Sequence, residues 1–228
     1  RTRAAAGGAD PLLGRARLIH KFCPRIGSLH SRIRPLSKHL GRGQIRPMTL
    51  RARPRSPFEF AVLLPYRLGY HPRRSVVVVA MHGRTAGVVQ RHDVSDDRDH
   101  CEVAAARALE VLERDGADAI LLFGFEDAPW QTSRLLEAIS DAATAAGLSV
   151  GVRLVVRDGH GHLTDDDGRT STQRLPRPAD VPAVAPFVRA GVHPLPTREE
   201  HVEQVLPERD EERAACVAAA SGGGRSLA

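Results

Sequence analysis

The chain has 228 residues, 33 Lys and Arg against 27 Asp and Glu, and a formal net charge of +6. That length supports one well-buried domain and is short for two. Residues 1–47 hold eleven Lys and Arg against Asp10 alone, while the rest of the chain holds 22 against 26 acids. The folded part is therefore mildly acidic, and composition gives no support to a phosphate-tracking surface on it.

Arg1 opens the chain and the first methionine is Met48. There is no asparagine, no lysine follows Lys38, and Ala, Arg, Gly, Pro and Val abound, the bias of a high-GC coding region. Residues 1–47 are expected to be a disordered or non-native basic extension, with a basic interaction arm or a targeting segment as alternatives. Their apolar runs, such as Leu12-Leu13, are too short for a signal peptide, and no run approaches a membrane span. Cys23, Cys101 and Cys216 are odd in number and form no C-x-x-C pair. That argues against a disulfide framework or structural zinc and for a reducing, cytoplasmic setting.

Ser56-Pro57-Phe58-Glu59 has the order of a capping box and opens a helix with Phe58, Val62, Leu63 and Tyr66 at helical spacing. Pro65 is expected to kink or end it near Leu64, with Gly69 and Pro72 as a second stop. Val76–Met81 reads as a strand buried on both faces, and Gly87–Val94 as its hairpin partner. An amphipathic helix capped by Asp99 and ending at Gly116 follows, with Cys101, Ala105, Ala108, Leu109 and Leu112 inward and Glu110–Arg114 paired outside. Ala119–Phe125 is a second buried strand. A helix over 131–146 turns Leu135, Leu136, Ile139 and Ala143 inward. Leu148–Val156 has a period of two and reads as a half-exposed strand towards a sheet edge. A polar hairpin spans His162–Thr172 around Asp167-Gly168. Leu175–Pro186 reads as a linker-like crossing, and Thr197–Glu200 as a capping box for a helix to about Leu206. Glu208–Ala220 reads as a last helix before a glycine-rich tail.

The pattern predicts a single layered α/β domain over residues 48–206, with a mixed, mostly parallel sheet flanked by helices and two βαβ-type crossovers. Residues 1–47 precede it, and 207–228 form a C-terminal helix and flexible tail.

The order Pro65-Tyr66-x-Leu68-Gly69-x-His71-Pro72-x-x-Ser75 to Val79, then Arg91-x-Asp93, Ala190-Gly191 and Pro194-Leu195-Pro196-Thr197-Arg198-Glu199-Glu200, resembles the bacterial domain-of-unknown-function family numbered 4192. The resemblance covers roughly residues 48–206 and implies no activity, because the family is uncharacterised. Members commonly carry a C-C-P run after the strand that Leu148 opens here. The corresponding stretch, His160–Pro176, has no cysteine, so the resemblance carries no thiol chemistry to this chain.

In open α/β sheets, ligands bind beyond the carboxyl ends of the parallel strands. The ends expected here are Arg91-His92-Asp93, Phe125-Glu126-Asp127 and Arg157-Asp158-Gly159-His160. The candidate ligand-binding residues are Arg91, Asp93, Glu126, Asp158 and His160. Asp93, Glu126 and Asp158 with His160 would offer oxygen ligands and one imidazole suited to magnesium or manganese, but acids after strands also cap helices and close turns. Arg91 and Asp93 share a strand face and form either a structural ion pair or a clamp for carboxylate or phosphate. His71, His160 and His162 have packing or backbone bonding as their ordinary roles. Cys101 combines a helix-start position with an apolar face, which favours a buried, inert thiol. Trp130 is expected either to line a pocket or to staple a helix entry.

The phosphate-loop, dinucleotide, nucleophile-elbow and H-E-x-x-H motifs are all absent. Aromatic residues make up 4% of the chain, too few for a base-stacking platform. Three readings follow, with the cofactor unknown and no membrane partner. The first is an interaction or small-ligand-binding module, whose partner would be a protein or a small molecule. The second is a metal-assisted hydrolase or nucleotide-processing enzyme using Asp93, Glu126 and Asp158. The third is nucleic-acid binding through residues 1–47.

Overall fold

The computed structural model describes residues 29–33, 48–165 and 167–205. Strands β1 (Leu29–Ile33), β2 (Met48–Ala52), β3 (Ser75–His82), β4 (Thr85–Asp93), β5 (Ala119–Phe125), β6 (Ser149–Arg157), β7 (His160–Thr164) and β8 (Thr170–Arg174) form one sheet. Their order across it is β2-β1-β4-β3-β5-β6-β7-β8. Five helices accompany them among the described residues: α1 (Pro57–Leu68), α2 (Arg98–Asp115), α3 (Ser133–Ala145), α4 (Ala185–Arg189) and α5 (Arg198–Val205).

The two apolar strands, β3 and β5, lie side by side at the centre, with Val77 opposite Phe123 and Val79 opposite Leu121. Alternation divides their side chains between two cores. Val77, Val79, Met81, Leu121 and Phe123 face α1 together with Val184 and Phe187, whereas Val76, Val78, Ala80, Ile120 and Leu122 face α2 and α3. The rings of Phe60 and Phe123 stack 5.3 Å apart across the first core.

The mixed sheet with flanking helices is the expected architecture, but its parallel share is smaller than expected. Only β1–β4 and β5–β6 pair in parallel, and the other five pairs are antiparallel. The tight turn at Gly83-Arg84 folds β3 back between β4 and β5, so α2 crosses over it. Strands β4, β5 and β6 still run in one direction, and their carboxyl ends share one edge of the domain.

Other expectations are corrected by burial. Pro65 neither ends α1 nor stops it at Leu64: the helix runs to Leu68, because Phe60, Leu63 and Leu64 are fully buried and that packing outweighs one missing ladder bond. The cap of α2 is Asp97, whose Oδ1 accepts the Asp99 N–H at 3.0 Å, two residues before the expected cap. Strand β6 is interior, because the β7–β8 hairpin pairs along its far side. Its alternation is interrupted at Gly151, where the register with β5 slips; Val150 joins the α3 core while Val152 and Leu154 join the α1 core. The second half of the proline-rich crossing is core rather than linker, since Val181, Ala183 and Val184 are at most 4% exposed, whereas Arg177–Asp180 stay exposed.

Within the basic segment the structure describes Leu29–Ile33, which pairs with Met48–Ala52. The rest of residues 1–47, like residues 207–228, lies outside the described residues. Among the described residues no helix is long and apolar enough to cross a membrane.

Truncating Phe123 to Ala removes a fully buried ring and should cost about 3–5 kcal/mol of unfolding free energy in urea melts. A loss below about 1 kcal/mol would show that this strand pair is not the centre of the core.

Candidate functional site

Helix α1 closes at Gly69, whose φ of +84° suits glycine and whose N–H donates to Pro65 O at 2.8 Å. A Cβ there would also meet His201 Cε1 at 2.7 Å, so the imidazole carried by α5 rests against bare backbone. The chain then runs alongside Leu195. His71 N–H donates to Leu195 O, and Leu195 N–H donates to Gly69 O, both at 2.8 Å. Tyr70 packs its ring 5.5 Å from that of His201. Thr197 caps α5 by accepting the Glu200 N–H at 3.2 Å, as its capping box requires.

This docking brings the first turn of α5 over the end of β4. Arg91 Nη2 lies 2.7 Å from Asp93 Oδ1, and Arg198 Nη1 lies 3.5 Å from Asp93 Oδ2. Arg91 Nη2 also donates to the Arg73 carbonyl at 3.3 Å. The Arg91 side chain is only 12% exposed, and its Nε is buried without a hydrogen-bond partner, as is Ser75 Oγ in the adjoining strand. Arg73 holds Asp127 through two bonds of 3.3 and 3.2 Å. Arg74, at φ +42°, presents an exposed guanidinium from a backbone conformation that costs energy for any residue but glycine.

These side chains enclose an open pocket of about 340 Å³, walled by Tyr70, His71, Arg73 and Arg74 on one side, Arg91 and Asp127 below, and Thr197, Arg198 and Glu199 above. Four guanidiniums thus face Asp93, Asp127 and Glu199, leaving positive charge in excess. Burial pushes the Tyr70 phenol above its usual pKa; Arg91 and Arg198 oppose that shift, and Asp93 and Glu199 add to it. Tyr70 therefore stays protonated and offers a hydroxyl donor among the arginines.

The walls are built from the Gly69–Ser75 segment, the Arg91-x-Asp93 pair and the Pro194–Glu200 segment, which also carry the resemblance noted in the sequence. The chain belongs to the family described as Domain of unknown function (DUF4192). Its family model matches residues 57–227, starting at α1 and ending well beyond Leu206. Comparison with curated proteins and with solved structures finds no match.

The other candidates from the sequence stand elsewhere. Glu126 is 8% exposed and turns to the α3 side, where Oε1 accepts from Thr132 N at 2.9 Å and Thr132 Oγ1 at 2.7 Å. Its Oε2 takes Arg157 Nη1 at 2.9 Å. Asp158 sits in the β6–β7 turn with φ +49°, and its carbonyl accepts from His160 Nδ1 at 2.8 Å. His162 Nδ1 pairs with Thr172 Oγ1 at 2.9 Å. Among the described residues no group of three or more His, Cys, Asp or Glu is placed to hold a metal ion, so the four-ligand set does not assemble. Cys101 is buried as expected, and that burial raises its thiol pKa. Trp130 staples nothing and is 82% exposed.

The residues missed by sequence reasoning are Tyr70, Arg73, Arg74, Thr197, Arg198 and Glu199. The dense arginines flanking β3 and the charged turn after Thr197 are the signals, but only the contact between Gly69–His71 and Leu195 joins them.

His92, between Arg91 and Asp93, faces the opposite core with Nε2 buried and unpartnered. Burial first, and the Arg91 charge second, lower its pKa below 6.5. The unfolded chain then binds a proton that the folded chain refuses, so stability falls as the pH drops through about 6.5. Urea melts from about pH 7.5 down to 5.5 should show that loss, with a shallower slope in His92→Gln. His162, whose pKa is also lowered, supplies part of the remainder. An unchanged slope in His92→Gln would contradict the assignment.

Proposed function

We propose that this domain binds a small anionic ligand, a carboxylate or phosphate, in the arginine pocket between the end of β4 and the first turn of α5. The observation that carries the reading is Arg91. Its guanidinium is nearly buried at the pocket floor, and three more arginines line the same pocket. A bidentate oxyanion takes charge-assisted bonds from guanidiniums that face such a pocket. Arg198 and Arg73 are positioned to close on the same anion, and the Tyr70 hydroxyl to donate to it.

Of the three readings from the sequence, the small-ligand module has the most support. The metal-assisted reading has less, because Asp93 is shared by Arg91 and Arg198 and Glu126 is engaged by Thr132 and Arg157. A cytoplasmic setting goes with the small-ligand reading, on the strength of the odd cysteine number and the buried free thiol of Cys101.

Thermal melts of the full chain in phosphate, pyrophosphate and citrate, against chloride at matched ionic strength, test the proposal. A binding anion at about 100 times its Kd should stabilise the fold by about 2.7 kcal/mol. Arg91→Gln should retain its fold by circular dichroism and lose that response. No stabilisation by any of the three anions, or an undiminished response in Arg91→Gln, would overturn it.

A further inference from the structure

Among the described residues the sheet ends on β8, with nothing paired along its outer side. All five residues of that strand, Thr170–Arg174, are exposed. Edge strands are ordinarily blunted by proline, by lysine, by a bulge or by a covering element. The run Thr170-Ser171-Thr172-Gln173 has no proline and no charge, and its register with β7 is unbroken from Thr164 opposite Thr170 to His160 opposite Arg174.

The backbone bonds of the hairpin fix which groups are free. Asp165 N–H donates to Arg169 O at 3.0 Å, and Leu175 N–H donates to Gly159 O at 2.9 Å. By alternation, Ser171 and Gln173 turn their N–H and C=O groups to β7, and those of Thr170, Thr172 and Arg174 point outward. Rows of polar side chains reach the same edge: His162 Nδ1 lies 2.9 Å from Thr172 Oγ1, and Thr164 Oγ1 lies 3.3 Å from Thr170 Oγ1.

We infer that β8 pairs with β8 of a second copy of this chain, antiparallel about a two-fold axis at Thr172. In that register Thr172 meets its own copy and Thr170 meets the partner's Arg174, so every outward N–H and C=O of the edge finds a partner. The side chains agree with it. Thr172 against Thr172 and Ser171 against Gln173 are polar pairs able to bond, and no like charges stand opposite one another. Charge selects the direction. Asp165 and Asp167 outweigh Arg169 at the hairpin tip, and antiparallel pairing sets that acidic tip beside the partner's Arg174 and Arg177, whereas parallel pairing would set tip against tip.

Sedimentation velocity on the full chain from about 1 to 200 µM, the range in which an interface this small associates, should show a shift from the mass of one chain to that of two. Thr172→Pro removes an outward N–H that β7 does not use, so it should keep the wild-type circular dichroism and stay monomeric. Asp167→Arg and Arg174→Glu should each weaken the dimer severalfold, and their equimolar mixture should recover it, because the mixed pair restores both contacts. These two charge variants decide the matter if the proline variant unfolds. A wild-type chain that is monomeric up to about 200 µM, a folded Thr172→Pro that still dimerises, or charge variants that neither weaken the dimer nor rescue one another would overturn the inference.

Discussion

Two backbone hydrogen bonds between Leu195 and the Gly69–His71 segment set the geometry on which the site depends. They join parts of the chain more than a hundred residues apart, and they hold the cap of α5 beside the end of α1. Each bond alone is worth on the order of 1 kcal/mol. Their effect is positional: with Leu195 fixed, Thr197 starts α5 where Arg198 must face Asp93. Gly69 permits the arrangement twice over, by turning the chain with a positive φ and by leaving room for His201.

The sheet supplies the rigid floor. Arg91 pairs across from Val77 and Asp93 across from Ser75, so both side chains stand on the α1 face, just beyond the last fully buried valines. A guanidinium at that boundary cannot withdraw into the core, whose packing is apolar, and only 12% of its side chain is exposed. It is left in the pocket with one carboxylate shared between it and Arg198. Surplus positive charge at the meeting point of a β-strand, a turn and a helix cap is thus a consequence of topology.

Much of the fold was legible in local patterns. The valine run of β3 and the apolar run of β5 announce buried strands. Ser56 and Thr197 announce their helices, and the Asp-Gly dipeptide announces the outer hairpin. What stayed hidden depends on long-range competition. Pro65 reads as a stop until α1 is seen to be buried on the sheet, and Leu175–Pro186 reads as linker until Val181 and Val184 of its second half are found in the core. Strand β6 reads as an edge because the polar hairpin that covers it lacks apolar residues. At the site, Arg91 and Asp93 were legible as a pair by spacing. Glu126 reads equally as a ligand at a strand end or as a turn-closing acid, and it is the latter, organising the turn into α3. The arginines at 73, 74 and 198 show locally only as dense charge, which reads equally as a solvated face until the Leu195 contact joins them.

The most direct test of an anion-binding pocket is a crystal structure of the full chain grown with tungstate, a strongly scattering tetrahedral oxyanion. The account requires density between Arg91 and Arg198, within hydrogen-bond distance of both guanidiniums. Well-ordered crystals with tungstate bound only elsewhere, or with these arginines paired to Asp93 and no anion between them, would contradict it.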